Sequence, residues 1–245
     1  MVKKFLMIIG ILLLLVTAGL GAHAFTQRHK NNELLKNPVI ATADKTAGTA
    51  VTEKPAEFDK TKYSLSDPAS PWVVVNKTRP LTPLSYTPSD LTAVGNNQQL
   101  RGDAAAALAS LIAAAKTEGL NIEALSGYRS YDKQVVVYNN EVKNYGQAVA
   151  DTESARPGYS EHQTGWAVDV GGGGCGIEDC FGNTAEGKWV AAHAHEYGFI
   201  VRYTAAKQSI TGYRAEPWHI RYIGTELSLQ LHATGVATLE EFFNL

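Results

Sequence analysis

Two short segments constrain this chain more than any bulk property. Ser160-Glu161-His162-Gln163-Thr164-Gly165-Trp166-Ala167-Val168-Asp169 is answered later by Glu216-Pro217-Trp218-His219. His162 and Asp169 lie seven positions apart. On one helix that is about two turns, too far to share a ligand. The span must therefore bend. Gly165 permits a turn, after which Asp169 can project from a strand, Ala167-Val168-Asp169-Val170. His219 arrives from another strand, Trp218 to Ile223. A fold that joins both segments brings two imidazoles and one carboxylate together.

The remaining chain supplies a frame for such a fold. Its 245 residues suffice for one medium domain plus appendages. Lys and Arg number 22 and Asp and Glu 24, a net charge of −2. A nucleic-acid protein normally shows a basic excess, so that class is disfavoured. Lys3 and Lys4 precede an apolar run from Phe5 to about Leu20. Residues 1–24 fit a signal peptide with Ala22-His23-Ala24 as its cleavage site, or an uncleaved anchor. The length of the run leans to the anchor, since a bilayer takes ~20 residues. Either way the protein is expected outside the cytoplasm, and with the anchor it is held at the membrane. Residues 25–70, rich in Thr, Ala, Lys, Asn and Glu, cannot bury a core and read as a flexible stalk. The folded domain is expected over 71–245.

Cys175 and Cys180 are the only cysteines. In an oxidising compartment a pair five apart reads as a small disulfide. A metal site is the weaker reading, because no further thiol or imidazole lies nearby in the chain.

Trp72 to Asn76 reads as a strand or a buried extended segment. Prolines 80, 83 and 88 then interrupt regular structure. A helix is expected from Asp103 to Lys116, stopped by Gly119, with Leu108, Leu111 and Ile112 on one face. Ile122 to Ser126 is a short strand. A second helix spans Tyr131 to Tyr145, with Val135, Tyr138, Val142 and Tyr145 at helical spacing. Gln147 to Tyr159 reads as a loop. A third helix, Glu186 to Tyr197, is closed by Gly198. Phe199 to Tyr203 is a strand, and Thr225 to Thr234 and Leu239 to Phe243 are helical. Helices first, then strands mixed with helices, predict α+β.

Two histidines and one aspartate leave a fourth position open on a borderline ion such as zinc, the pattern of a catalytic rather than a structural site. Either histidine alone would read as an ordinary surface residue; the combination does not. Glu216 precedes His219 by three and is expected on the turn that delivers it, with Pro217 fixing the backbone. A carboxylate beside the ion but not on it can move a proton. Arg129, in Ser126-Gly127-Tyr128-Arg129-Ser130, can polarise a carbonyl or clamp a carboxylate, or serve only as a salt bridge at a helix start. Ser130 is a good N-cap, and Gln134 falls one turn on. His193, His195 and His232 read as structural or exposed. No Gly-x-Ser-x-Gly elbow is present.

Together these residues resemble a known family. Ser160-x-His162-x-x-Gly165-x-Ala167-x-Asp169 and Glu216-x-x-His219 match the signature of the VanY-like zinc carboxypeptidases of peptidase family M15. Gly187-Lys188-Trp189, Tyr197 to Tyr203 and Thr211-Gly212-Tyr213 are similar to the same family, and the match runs from about 72 to 224. The resemblance implies a compact α+β domain in which a small antiparallel sheet, flanked by helices, carries the site. It implies Zn2+ held by His162, Asp169 and His219. Glu216 would act as general base and then acid, and Arg129 would stabilise the oxyanion. Gln134 and Ser160 would hold the terminal D-alanine. The implied substrate is a peptidoglycan stem peptide ending in D-alanine, cut by a D,D-carboxypeptidase. An L,D-carboxypeptidase acting on tetrapeptide stems is the alternative. A non-catalytic wall-binding module is the alternative from another class, expected to have lost one of the four site residues. Nothing in the chain suggests an oligomer, so a monomer is expected.

Overall fold

The computed structural model describes residues 57–245. The expected N-terminal segment 1–24 and most of the expected stalk lie outside these residues. Among the described residues, no helix is long and apolar enough to cross a membrane.

The elements run in the order β1 (Leu91–Ala93), β2 (Gln99–Arg101), α1 (Gly102–Thr117), β3 (Glu123–Ser126), α2 (Tyr131–Tyr145), α3 (Gln147–Glu153), β4 (Ala167–Gly171), α4 (Ala185–His193), β5 (Phe199–Tyr203), α5 (Gln208–Thr211), β6 (Glu216–Tyr222), α6 (Thr225–Thr234) and α7 (Leu239–Phe243). Strands β1 and β2 form a hairpin; the other four form one sheet in the order β3-β4-β6-β5. Every pairing is antiparallel. The architecture is α+β with small antiparallel sheets and flanking helices.

Helix α1 forms because it is mostly Ala with Leu, residues that lose little on becoming helical. It buries Ala104, Ala105, Leu108, Leu111 and Ala115. These pack into one core with Val168 and Val170 of β4 and Ile220 of β6. The opposite face of β4 is left for Asp169. A second cluster joins Trp72 and Val74 to Leu227, Leu231, Leu239 and Phe242. Trp72 to Val75 are buried without a strand ladder, and the Trp72 indole N–H donates to Ile223 O at 3.0 Å.

Several expectations need correction. The hairpin β1–β2 was not read from the sequence. Its turn uses Asn96 and Asn97 at φ 48° and 56°, a left-handed conformation that asparagine tolerates. Gln147 to Glu153 is helix rather than loop: Gly146, at φ 85°, ends α2, and a run with good formers such as Ala148 and Ala150 restarts. The apolar stripe expected on α2 is only partly buried. Tyr145 is 62% exposed, whereas Gln134 is fully buried. Strand β6 begins at Glu216, not Trp218, so Glu216 lies on the strand rather than on a turn before it. The last part of the expected stalk packs on the domain. Phe58 stacks on Trp72 at 5.5 Å and meets Phe242 edge-on at 5.4 Å, so packing starts at least from residue 58 rather than 71. Two aromatics, Phe58 and Tyr63, in a polar stretch are too sparse a signal for periodicity to register.

Because Leu111 has no exposed surface and lies in the main core, Leu111→Ala should cost about 2–5 kcal/mol. Urea unfolding measures it, and a loss near zero would mean that α1 does not pack as described.

Candidate active site

The sheet positions the site through its register. Asp169 on β4 is the direct partner of His219 on β6, while their neighbours Val168 and Ile220 pair toward the core. Directly opposed residues share a face, so the carboxylate and imidazole stand side by side. Asp169 Oδ1 lies 3.0 Å from His219 Nδ1. His162 comes from a 3-10 turn, Glu161–Thr164, which Gly165 closes at φ 73°. A Cβ at Gly165 would also meet Arg101 Cγ at 2.8 Å, so glycine is needed there for both conformation and space. The turn brings His162 Nε2 to 3.2 Å from Asp169 Oδ2. The imidazole centroids are 4.9 Å apart with the rings near perpendicular, at 89°.

Glu216 reaches this group because the β5–β6 ladder slips. Register shifts between Val201 and Tyr203, and Tyr203 then pairs with Glu216. Strict alternation would have put Glu216 on the face of Trp218 and Ile220; irregular pairing can re-aim a side chain. Its Oε2 lies 3.9 Å from His219 Nδ1, beyond hydrogen-bond distance.

Arg129 reaches in from the end of β3. Its Nη2 donates to Ser126 Oγ at 2.8 Å and its Nη1 to Gln134 Oε1 at 3.0 Å. Gln134 Nε2 donates in turn to Ala155 O at 2.8 Å and Ser154 Oγ at 3.3 Å. Both ends of the Gln134 amide are thus engaged in holding Arg129 to the wall. Ser160, buried at the start of the 3-10 turn, lines the same cleft. The cleft is about 660 Å³ and also exposes Tyr203, Tyr213, Arg214 and Trp218.

Burial dominates the electrostatics. It pushes the Glu216 carboxyl up to about 7, only partly opposed by His219. Burial also works against a charged His219. Hydrogen bonds to Asp169 and Glu161 and the nearby carboxylates outweigh it and raise that imidazole to about 9. His162 is lowered by burial. Asp169 is opposed by burial but held low by both imidazoles, so it stays ionised.

The His162, Asp169 and His219 donor atoms all lie within 4.8 Å of one another. Two imidazole nitrogens and one carboxylate, facing a cleft, fit zinc with an open position. His162 Nδ1, on the far side of its ring, lies 2.9 Å from Gly127 O, which leaves Nε2 for an ion. Cys175, Glu178 and Cys180 form a second group of suitable atoms, but the two cysteines are joined in a disulfide and offer no thiolate. His193 and His195 stay outside the cleft. His193 stacks on Trp189 and His195 on His232.

Sequence reasoning missed Glu161. Its side chain has no exposed surface. Oε1 accepts from Arg202 Nε and Arg221 Nη1, both at 2.8 Å, and Oε2 lies 3.2 Å from His219 Nε2. A signal was available in the sequence. Phe199-Ile200-Val201-Arg202-Tyr203 and Trp218-His219-Ile220-Arg221-Tyr222 each put an arginine inside a strand too apolar to be exposed, and a buried guanidinium demands a buried acid.

Fold and site together fit a peptidase in which three clustered donors could hold a metal ion. Residues 97–225 match the VanY family, described as D-alanyl-D-alanine carboxypeptidase. YodJ of Bacillus subtilis (strain 168) is 42% identical over 191 residues, 74% of this chain and 69% of YodJ. The LdcB LD-carboxypeptidase structure superposes with a TM-score of 0.67 at 42% identity, covering 72% of this chain and 87% of that one. The vancomycin resistance D,D-pentapeptidase VanY, solved with Zn(II), gives a TM-score of 0.62 at 32% identity, covering 69% and 97%. The chain belongs to the VanY family of carboxypeptidases.

Two arginines separate buried from exposed pairing. Arg202 is fully buried between Glu161 and Glu240. Arg214, 35% exposed, bridges Glu153 and Asp179 at the cleft rim. Arg202→Met should cost about 3–5 kcal/mol, because it leaves the buried Glu240 without a cation and takes one of two from the buried Glu161. Arg214→Ala should cost about 0–1 kcal/mol. Urea unfolding of both variants measures this, and equal losses would contradict it.

Proposed function

We propose that this protein is a zinc-dependent D,D-carboxypeptidase that removes the C-terminal D-alanine from peptidoglycan stem peptides. The observation that carries the reading is the meeting of His162, Asp169 and His219 in a cleft that also presents Glu216 and Arg129. His162, Asp169 and His219 would hold the ion. Bound there, zinc supplies Lewis acidity to the scissile carbonyl and lowers the pKa of water toward ~7.

The chain's own residues do the rest. Glu216 is near the imidazoles without pairing tightly to either. It takes the proton of the attacking water and returns it to the departing amine of D-alanine. A carboxyl pushed up by burial suits that exchange near neutrality, and a cation beside it pulls the value down from about 7. Arg129, fixed by Ser126 and Gln134, offers its guanidinium to the carbonyl oxygen as charge develops there. Ser160 helps hold the terminal carboxylate. Gln134 contributes by keeping Arg129 in place.

The setting follows from the same reading. The N-terminal segment exports the domain and tethers it to the outer side of the membrane, and the chain works as a monomer on the wall. The disulfide between Cys175 and Cys180 suits an oxidising compartment.

A second reading is an L,D-carboxypeptidase. Identity to LdcB is 42%, above the 32% to the D,D-pentapeptidase. Pentapeptide and tetrapeptide stems offered separately, with D-alanine release followed by mass spectrometry, decide between the two. Release from the pentapeptide is expected. Release from the tetrapeptide alone gives the second reading, and release from neither removes both.

Glu216→Ala should lower kcat by at least about 10²–10⁴-fold with zinc still bound. Turnover near the wild-type value would remove the proton-transfer role. In the wild type, kcat/KM should rise with pH as Glu216 loses its proton, with an acid-limb midpoint at or below about 7. Zinc affinity should fall on acidification as well, because protons compete for His219. An acid limb well above 7 would contradict the assignment.

A further inference from the structure

We infer that Glu161 is the positioning residue that selects which nitrogen of His219 faces the ion. The inference rests on the zinc reading of the site and adds a role that the ligand set does not contain.

His219 stands between two carboxylates. Its Nδ1 is 3.0 Å from Asp169 Oδ1, and its Nε2 is 3.2 Å from Glu161 Oε2. An imidazole that ligates an ion is neutral and carries one proton, so in that state one of these contacts has a donor and the other does not. Geometry alone permits both tautomers. The surroundings of the two acids decide between them.

Asp169 faces the cleft, and its oxygens meet the inward nitrogens of both histidines. An ion placed among these atoms replaces the missing proton. Glu161 has no such substitute. It is sealed from solvent, and Oε1 is already taken by Arg202 and Arg221. Among the described residues, its Oε2 has no donor within reach except His219 Nε2. Leaving a buried carboxylate oxygen without a donor is costly. The proton therefore goes to Nε2, and Nδ1 is left bare toward the ion.

Glu161 cannot swing to accommodate the other tautomer. Arg202 donates from Nη1 and Nη2 to Glu240 at 2.9 and 2.7 Å. Glu240 also accepts from Asn76 Nδ2 at 2.9 Å. Arg221 Nη2 donates to Pro71 O and Val73 O, both at 2.9 Å. The carboxylate that orients His219 is thus pinned by the N-terminal extended segment and by helix α7. Neither contributes a ligand.

The isosteric variant Glu161→Gln is informative. Two N–H donors face Oε1, so the amide oxygen must stay there. The amide NH2 then occupies the place of Oε2 and donates to His219 Nε2. The imidazole proton moves to Nδ1, and the metal-facing nitrogen becomes a donor.

The test uses the full chain loaded with zinc. Competition against a chromophoric chelator should show about a 10–100-fold loss of zinc affinity in Glu161→Gln. In the wild type, 15N NMR should show His219 bound to zinc through Nδ1 and protonated at Nε2. A purely structural role would lower stability without setting that signature. Coordination of wild-type His219 through Nε2 would overturn the inference, whether or not the variant folds. Unchanged zinc affinity in a folded Glu161→Gln protein would do the same. A wild type that binds no zinc would instead strike the reading beneath it.

Discussion

The antiparallel pairing of Asp169 with His219 governs everything else in the cleft. It sets a carboxylate beside an imidazole on one face of the sheet while Val168 and Ile220 seal the other face against helix α1. A strand slip of one residue would reverse both faces at once: Asp169 and His219 would enter the core and the aliphatic side chains would face the cleft. The apolar packing of α1 therefore does more than stabilise the domain. It makes the productive register the only one that buries aliphatic side chains.

A second constraint lies beneath the first. Glu161 and Glu240 are matched by Arg202 and Arg221 in a buried cluster of two acids and two bases. Such clusters are weak contributors to net stability, because desolvation offsets most of the attraction. Their value here is geometric. Burial and bidentate pairing leave each charge one arrangement, and that arrangement reaches His219. Tyr203, stacked on Tyr213 at 4.4 Å and tilted over His219 at 4.9 Å, closes the remaining side of the imidazole. The Nδ1 edge faces Asp169 and the cleft, and the far edge is held by protein. That asymmetry is expected of a centre that binds an ion tightly and still admits substrate.

Much of this was legible in the sequence because the relevant signals are local or carried by residue type. Phe199 to Tyr203 and Ala167 to Val170 read as strands from their β-branched and aromatic content. Gly165 read as a turn because His162 and Asp169, seven positions apart, could meet only if the chain between them bends. Besides the β1–β2 hairpin and the early packing of Phe58, three features that bear on the site were not legible, each for a physical reason. Glu216 lies on β6 through a register shift, and irregular pairing leaves no trace in alternation. Helix α3 is too short for its periodicity to stand out beside Pro157 and Gly158. Glu161 and its arginines are paired across the fold, so each looks like an ordinary charged residue until the strands are brought together.

The most direct measurement of the central claim is anomalous diffraction at the zinc edge from crystals grown with the metal. One peak should lie between His162 Nε2, the Asp169 carboxylate and His219 Nδ1, at about 2.0–2.2 Å from each. Density for zinc elsewhere, with these three side chains unliganded, would contradict it.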